Sequence, residues 1–203
     1  MRDYEEMERY KIKLTSDREN YGYFDFSMPF EENIYEEREW SLNFTICVCT
    51  EEDVEVAFIE GTLFDENKLE ECGIDIAEAA DYIAQDEHDA AYWLSQFEGY
   101  RDEDEEWIWQ NAYSGYLATF YVYEEYRNKG IGKYLFTNLH KILKYSLNID
   151  LRCLCIYPQP QNPENWSNIN DDKMKKTMIQ VIESNGFVET GNEGFYVKVY
   201  DLV

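Results

Sequence analysis

Residues 116–157 constrain the fold more than any other part of the chain. Tyr116 to Tyr123 holds Leu117, Ala118, Thr119, Phe120, Tyr121 and Val122 with no breaker inside, which predicts a strand. A turn at Asn128-Lys129-Gly130 follows. From Ile131 to about Ser146, apolar residues recur at Ile131, Leu135, Leu139, Ile142 and Leu143, one face of a helix. Ile149 to Tyr157 is again a strand, apolar enough to be central in a sheet. Strand, helix and strand in close succession commit this half of the chain to helices packed on a sheet.

The remaining segments are compatible with that plan. Arg9 to Thr15 alternates polar and apolar (Tyr10, Ile12, Leu14) and predicts a first strand, with a second short extended piece at Tyr21 to Phe26. Pro29 to Trp40 reads as a short acidic helix. Ser41 to Thr50 and Val54 to Phe64 are β-rich runs around the hairpin turn Glu51-Glu52-Asp53. Between Leu69 and Phe97 the pattern becomes helical: Ile76, Ala79, Ala80 and Ile83 share a face, with Asp75 as N-cap. A second helix runs from about Glu87 through Trp93, Leu94 and Phe97. Its Asp86-Glu87-His88-Asp89 start is a common complement to a helix dipole, or a metal cluster. A proline-containing loop from Pro158 to Asn170 leads to a helix over 171–184, ended by Asn185-Gly186, and Gly194 to Leu202 closes as a strand. The expectation is one mixed α/β domain over 1–203. It divides into a β-rich part (1–64), an acidic helical insert (65–106) and a core (107–203).

With 203 residues, the chain is long enough for one well-filled domain. Its 18 Lys and Arg against 43 Asp and Glu give a formal charge of −25, which argues against a nucleic-acid groove or an anionic-membrane patch. A 44% hydrophobic, 17% aromatic composition is too rich for a disordered acidic tail. The charge is unevenly spread: residues 1–50 carry −6, residues 51–106 carry −19, and residues 107–203 are neutral. No apolar stretch is long enough for a membrane span, and the N-terminal residues lack the apolar region of a signal peptide, so a cytoplasmic location is expected. The five cysteines agree. Cys47/Cys49 and Cys153/Cys155 are each two apart on strands and serve as small apolar fillers, and with Cys72 they show no zinc-like spacing. Neither a disulfide nor a metal is expected.

The chemistry concentrates between the first strand of the core and its helix. Arg127, Asn128, Lys129, Gly130, Ile131, Gly132 and Lys133 present consecutive backbone N–H groups at a helix start, with three cations among seven residues. Such a terminus has unpaired donors and partial positive charge, which suit a pyrophosphate. Glycines at 130 and 132 would let the backbone approach the phosphates.

The strand, the Arg-x-x-Gly-x-Gly turn and the following helix together resemble the acetyl-CoA motif of the GCN5-related N-acetyltransferase (GNAT) superfamily. Asn185-Gly186-Phe187-Val188-Glu189-Thr190-Gly191 is similar to the family's end-of-helix signature, a Gly-Phe followed by a strand. The resemblance covers residues 116–203. It implies a mixed, mostly antiparallel sheet that splays open between the strands at 116–123 and 149–157. Acetyl-CoA would enter there as co-substrate, its pantetheine along Tyr121, Val122 and Tyr123 and its pyrophosphate on residues 127–133. Catalysis would be direct attack of an amine on the thioester, which needs a base, donors for the oxyanion and an acid for the thiolate.

The chain departs from the family at the acid. The customary tyrosine position, four residues before the Gly of Gly-Phe, is Ile182, and an Asn frequent near the start of that helix corresponds to about Lys175. Tyr157 or Cys155 could replace the acid, although Tyr157 fits sheet packing equally well. Tyr116 occupies the place where some members keep a glutamate base. Glu124 reads as a solvated strand-end carboxylate, and His140 as surface or packing. The helices of 65–106 also follow a hairpin, whereas the family's substrate-covering helices lie between the first two strands. Two functions remain open. One is an N-acetyltransferase, monomeric or homodimeric, acting on a primary amine of a cationic small molecule or protein. The other is a non-catalytic acidic binding protein, such as a nucleic-acid mimic occupying a basic surface.

Overall fold

A computed structural model describes residues 10–16, 40–81, 92, 94, 112–160, 171–191 and 194–200. The elements in chain order are β1 (Tyr10–Ser16), β2 (Ser41–Thr50), β3 (Glu55–Asp65), α1 (Glu66–Cys72), α2 (Ile76–Asp81), β4 (Ala112–Val122), α3 (Ile131–Leu147), β5 (Asp150–Ile156), α4 (Asp172–Ser184), β6 (Val188–Thr190) and β7 (Phe195–Val199). The strands form one seven-stranded sheet in the order β1-β2-β3-β4-β5-β7-β6. Every neighbouring pair is antiparallel except β4 and β5. This is the mixed, mostly antiparallel, helix-flanked sheet expected from the sequence.

Alternation along the strands sorts side chains between two layers. On one face Leu42, Phe44, Ile46 and Val48 of β2 join Ile59 and Leu63 of β3, and α3 adds Ile131, Leu135, Phe136, Leu139 and Leu143. The helical periodicity of 131–146 is thus the buried side of α3. On the other face Trp40, Phe64, Tyr116, Cys153, Cys155, Phe195 and Val197 are covered by Leu69 of α1, Ile76, Ala79 and Ala80 of α2, and Leu94. α1, α2 and Leu94 therefore pack on the sheet face opposite α3. None of the five cysteines is joined to another, and Cys153 and Cys155 are buried fillers in that second layer.

The hairpin at 51–53 forms as expected, with Thr50 N–H donating to Val54 O at 2.8 Å. Lys13 of β1 reaches Asp53 in that turn at 3.0 Å. Asp75 caps α2, its carboxylate accepting from Glu78 N–H at 2.7 Å. Three expectations are corrected. The helical region starts earlier than Leu69, because Asp65 caps α1 through Lys68 N–H at 3.3 Å. α1 then ends at Gly73 in the left-handed conformation. β4 starts at Ala112 and not Tyr116, because Gly115 is no turn residue: a Cβ there would stand 2.4 Å from Leu63 and 2.6 Å from Thr62 O, where β3 presses close. The closing strand ends at Val199, short of Leu202. The expected pieces at 21–26 and 29–39, most of the helix at 87–97 with its 86–89 acidic start, and most of the loop at 158–170 lie outside the described residues.

Candidate active site

The parallel strands β4 and β5 pair from Ala112↔Asp150 to Leu117↔Ile156. β4 then continues to Val122 with only β3 beside it among the described residues. The sheet therefore opens after Leu117 and Ile156, between the two strands where a cleft was expected. β4 is irregular at the same point. Glu60 pairs with Thr119 and Gly61 with Leu117, so Ala118 is an inserted bulge residue, and it is exposed. Tyr123 N–H donates to Val56 O at 3.0 Å. Backbone groups alternate sides along a strand, so Tyr121 and Tyr123 turn theirs toward β3 while Phe120 and Val122 turn theirs toward the opening. Of the three strand residues expected to meet pantetheine, Val122 has its backbone so directed. Phe120, whose backbone turns the same way, was not among them.

A 3-10 turn over Glu124–Tyr126 carries the chain from β4 to α3. Arg127 folds back on the strand end: its Nε donates to Val122 O at 2.9 Å and an Nη to the Tyr121 hydroxyl at 3.1 Å. The guanidinium lies 5.4 Å from the centre of the same ring, adding a cation–π contact. Lys129 Nζ stands 4.8 Å from the Tyr126 ring centre, and Asn128, Lys129, Gly130 and Lys133 are exposed.

α3 then starts differently from its neighbours. Asp65, Asp75 and Asp171 cap α1, α2 and α4 with their carboxylates. The N-cap of α3 is Gly130, at φ +79°, with no side-chain cap and no acidic residue in the first turn. Its first intrahelical bond runs from Tyr134 N–H to Gly130 O, so the N–H groups of Ile131, Gly132 and Lys133 precede the ladder. In so acidic a chain, the first turn of this helix carries no carboxylate and is flanked by cations, which leaves a positive dipole end for an anion. The two glycines serve different ends. A Cβ at Gly130 would meet nothing within 4 Å, whereas at Gly132 it would stand 2.7 Å from the Phe120 ring. Position 130 is thus open to its surroundings, while Gly132 lets α3 pack on β4.

Tyr116 and Tyr157 lie on the face covered by α1 and α2. Tyr116 pairs with Cys155 across the last regular stretch of β4–β5 and is 8% exposed, beneath that layer. Tyr157 is one residue beyond β5 and half-buried, its ring centre 5.1 Å from that of Phe195. Lys175 Nζ lies 5.3 Å above the Tyr157 ring, so the residue at the family's Asn position reaches the end of β5. Burial pushes the Cys155 thiol up, which makes it a poor proton donor to a thiolate. Ile182 is fully buried in the α3-side core. The His140 ring packs on Tyr200 at 5.3 Å, and burial lowers its pKa.

Sequence reasoning missed Glu60. It is half-buried on β3 and pairs with Thr119 beside the bulge. Thr45 Oγ1 of β2 donates to its Oε1 at 3.5 Å. Burial raises its pKa, the Thr45 hydrogen bond opposes the shift, and the charge of Glu55 adds to it. Glu55 in turn accepts from the Tyr123 hydroxyl at 3.0 Å. Phe58 packs between Tyr121 and Tyr123 at ring distances of 6.0 and 6.4 Å. The signal was a lone carboxylate within the apolar run Val56-Ala57-Phe58-Ile59 and Gly61. Among the described residues no group of three His, Cys, Asp or Glu side chains could hold a metal. No helix among them is long and apolar enough to cross a membrane.

No protein-family model matches the sequence, and no curated protein does. Solved structures similar to this chain include N-acetyltransferases. One is the spermidine/spermine N-acetyltransferase SpeG from Vibrio cholerae in complex with manganese ions, at a TM-score of 0.42 and 11% identity over 95% of this chain and 94% of that one. A second structure of the Vibrio cholerae enzyme, described as dodecameric, gives 0.41 and 11% over the same shares. NAA60 from Arabidopsis thaliana in complex with acetyl-CoA gives 0.40 and 13% over 94% of this chain and all of the other.

Proposed function

We propose that this chain is an acetyl-CoA-dependent N-acetyltransferase of the GNAT superfamily, acting on a primary amine of a cationic acceptor. One observation carries the reading. β4 loses its β5 partner and leads, through a cation-flanked turn, into a helix start free of carboxylates. Such an opening accepts an extended chain carrying a pyrophosphate at one end.

In this reading the pyrophosphate rests on the N–H groups of residues 131–133 near Lys129 and Lys133, and Asn128 and Gly130 shape the turn. Arg127, tied to Val122 O and Tyr121, holds the strand end in place. Pantetheine runs beside Phe120 and Val122. That direction brings the thioester to Ala118, whose bulged N–H is the donor for the developing oxyanion. The acceptor approaches from the face bearing Tyr116 and Tyr157, beside α1 and α2, which belong to the acidic stretch 51–106 that attracts cations. Tyr157 is the donor to the leaving sulfur, with Lys175 above its ring. Tyr116 lines the acceptor side, buried and shaping it.

The test is release of CoA thiol from acetyl-CoA in the presence of spermidine, a lysine-rich peptide or a fully N-methylated polyamine. The expected result is thiol release and a 42 Da gain (about one acetyl group) with the primary amines alone. Absence of release with every primary amine would contradict the proposal.

A further inference from the structure

Resting on the transferase reading, we propose that Glu60 is the base that removes the acceptor's ammonium proton. Three features place it there. It is on β3, directly across from Thr119, one residue from the Ala118 bulge where β4 leaves β5. Its side chain is on the sheet face that carries Thr45 and Cys47 of β2, Glu55 and Phe58 of β3, and Tyr121 and Tyr123 of β4, opposite the α3 layer. Among the described residues no cation pairs with it, and its one hydrogen bond is the long contact from Thr45. A half-buried carboxylate without a counter-ion gains most from an arriving ammonium group.

Aromatic rings line the same approach. Phe58, Tyr121 and Tyr123 pack together beside Glu60, and Glu55 is held by the Tyr123 hydroxyl. The rings favour a cationic guest, and Glu55 supplies a second negative charge.

The proton balance is complete with these groups. Glu60 takes one proton from the ammonium nitrogen. The freed lone pair forms the C–N bond as the carbonyl electrons move to oxygen. Collapse of the adduct re-forms the carbonyl and breaks the C–S bond. Tyr157 gives its proton to the departing sulfur and regains one from the adduct nitrogen, and the Glu60 proton passes to water. The products are amide, CoA thiol and one released proton.

The groups facing Glu60 fix the sign of the pH dependence. Among the described residues they are Glu55 on its own strand, Cys47 of β2, whose thiol burial pushes up to about 12, and Tyr121 and Tyr123 of β4, the latter also raised by burial. None is a cation, and Glu55 disfavours a second negative charge. Activity needs ionised Glu60, so it falls as pH drops through a raised pKa, on the neutral side of the ordinary carboxylate range.

Glu60→Gln keeps the shape and a carbonyl for Thr45 but removes the base. Its kcat/KM at neutral pH should fall by about 100-fold or more, with acetyl-CoA affinity unchanged and the acidic limb of the pH profile gone. Glu60→Asp should keep a displaced acidic limb at reduced rate, and it serves if the first variant fails to bind acetyl-CoA. A Glu60→Gln variant within about threefold of the parent, with the same acidic limb, overturns this assignment while leaving the transferase reading intact. A parent protein that binds acetyl-CoA yet acetylates no amine overturns both.

Discussion

Gly132 sits where a Cβ would stand 2.7 Å from the Phe120 ring, so this residue sets the separation of α3 from β4. Phe120 is itself wedged edge-on against Phe136 at 4.8 Å and cannot retreat freely. Gly132→Ala is therefore expected to destabilise the fold by about 1–3 kcal/mol, read as a lower urea midpoint at unchanged slope. Gly130 differs, since its surroundings are open and only its left-handed backbone resists a side chain. The Gly-x-Gly pattern was legible as a helix-start motif, but the separate tasks of its glycines were not. One depends on a ring twelve residues upstream whose direction is set by the Ala118 bulge. Glu60 was illegible for a related reason: a carboxylate in a strand reads as solvent-facing until the neighbouring strands and the bulge opposite are known. Ile182 was legible as a departure from the family, and its complete burial explains the residue type.

At the scale of elements, a polar knot ties α1 to the sheet. Glu66 is 4% exposed and accepts from Ser114 of β4 and Arg152 of β5, while Asp65 accepts from the Tyr113 hydroxyl at 2.7 Å. The knot joins the beginnings of β4 and β5 at the end of the sheet opposite the opening, so the two strands are clamped where they pair and free where they part. Arg152→Leu takes the Arg152 guanidinium away from the buried Glu66 carboxylate. The expected loss is about 3–5 kcal/mol, measured by chemical denaturation, and a loss below ~1 kcal/mol would show that the pair is not buried in solution. Strands with clean alternation, such as 41–50, were legible to the residue because one face is buried. The start of β4 was not, since Ser114-Gly115 has turn composition yet lies where β3 and the Glu66 knot demand small side chains. The helical segment after β3 was legible from Asp75 and its apolar spacing. That it covers the Tyr116 face follows only from strand order.

For the whole molecule, the division of charge is the organising feature. Residues 51–106 carry −19 and residues 107–203 are neutral, although they share one sheet. α1 and α2, from the acidic stretch, pack on the face that bears Tyr116 and Tyr157, while the cation-flanked start of α3 packs from the other. In the proposed reading, a polyanionic cofactor at the cation-flanked helix start and a cationic acceptor beside the acidic helices would meet at the opening. The most direct measurement is isothermal titration of the protein with acetyl-CoA and CoA, repeated with Gly130→Glu, which adds both a strained side chain and a carboxylate to the helix start. Micromolar binding to the parent that the substitution abolishes is the predicted result. No binding to the parent, or undiminished binding to a folded Gly130→Glu variant, would contradict the assignment of the β4–α3 turn as the acetyl-CoA site.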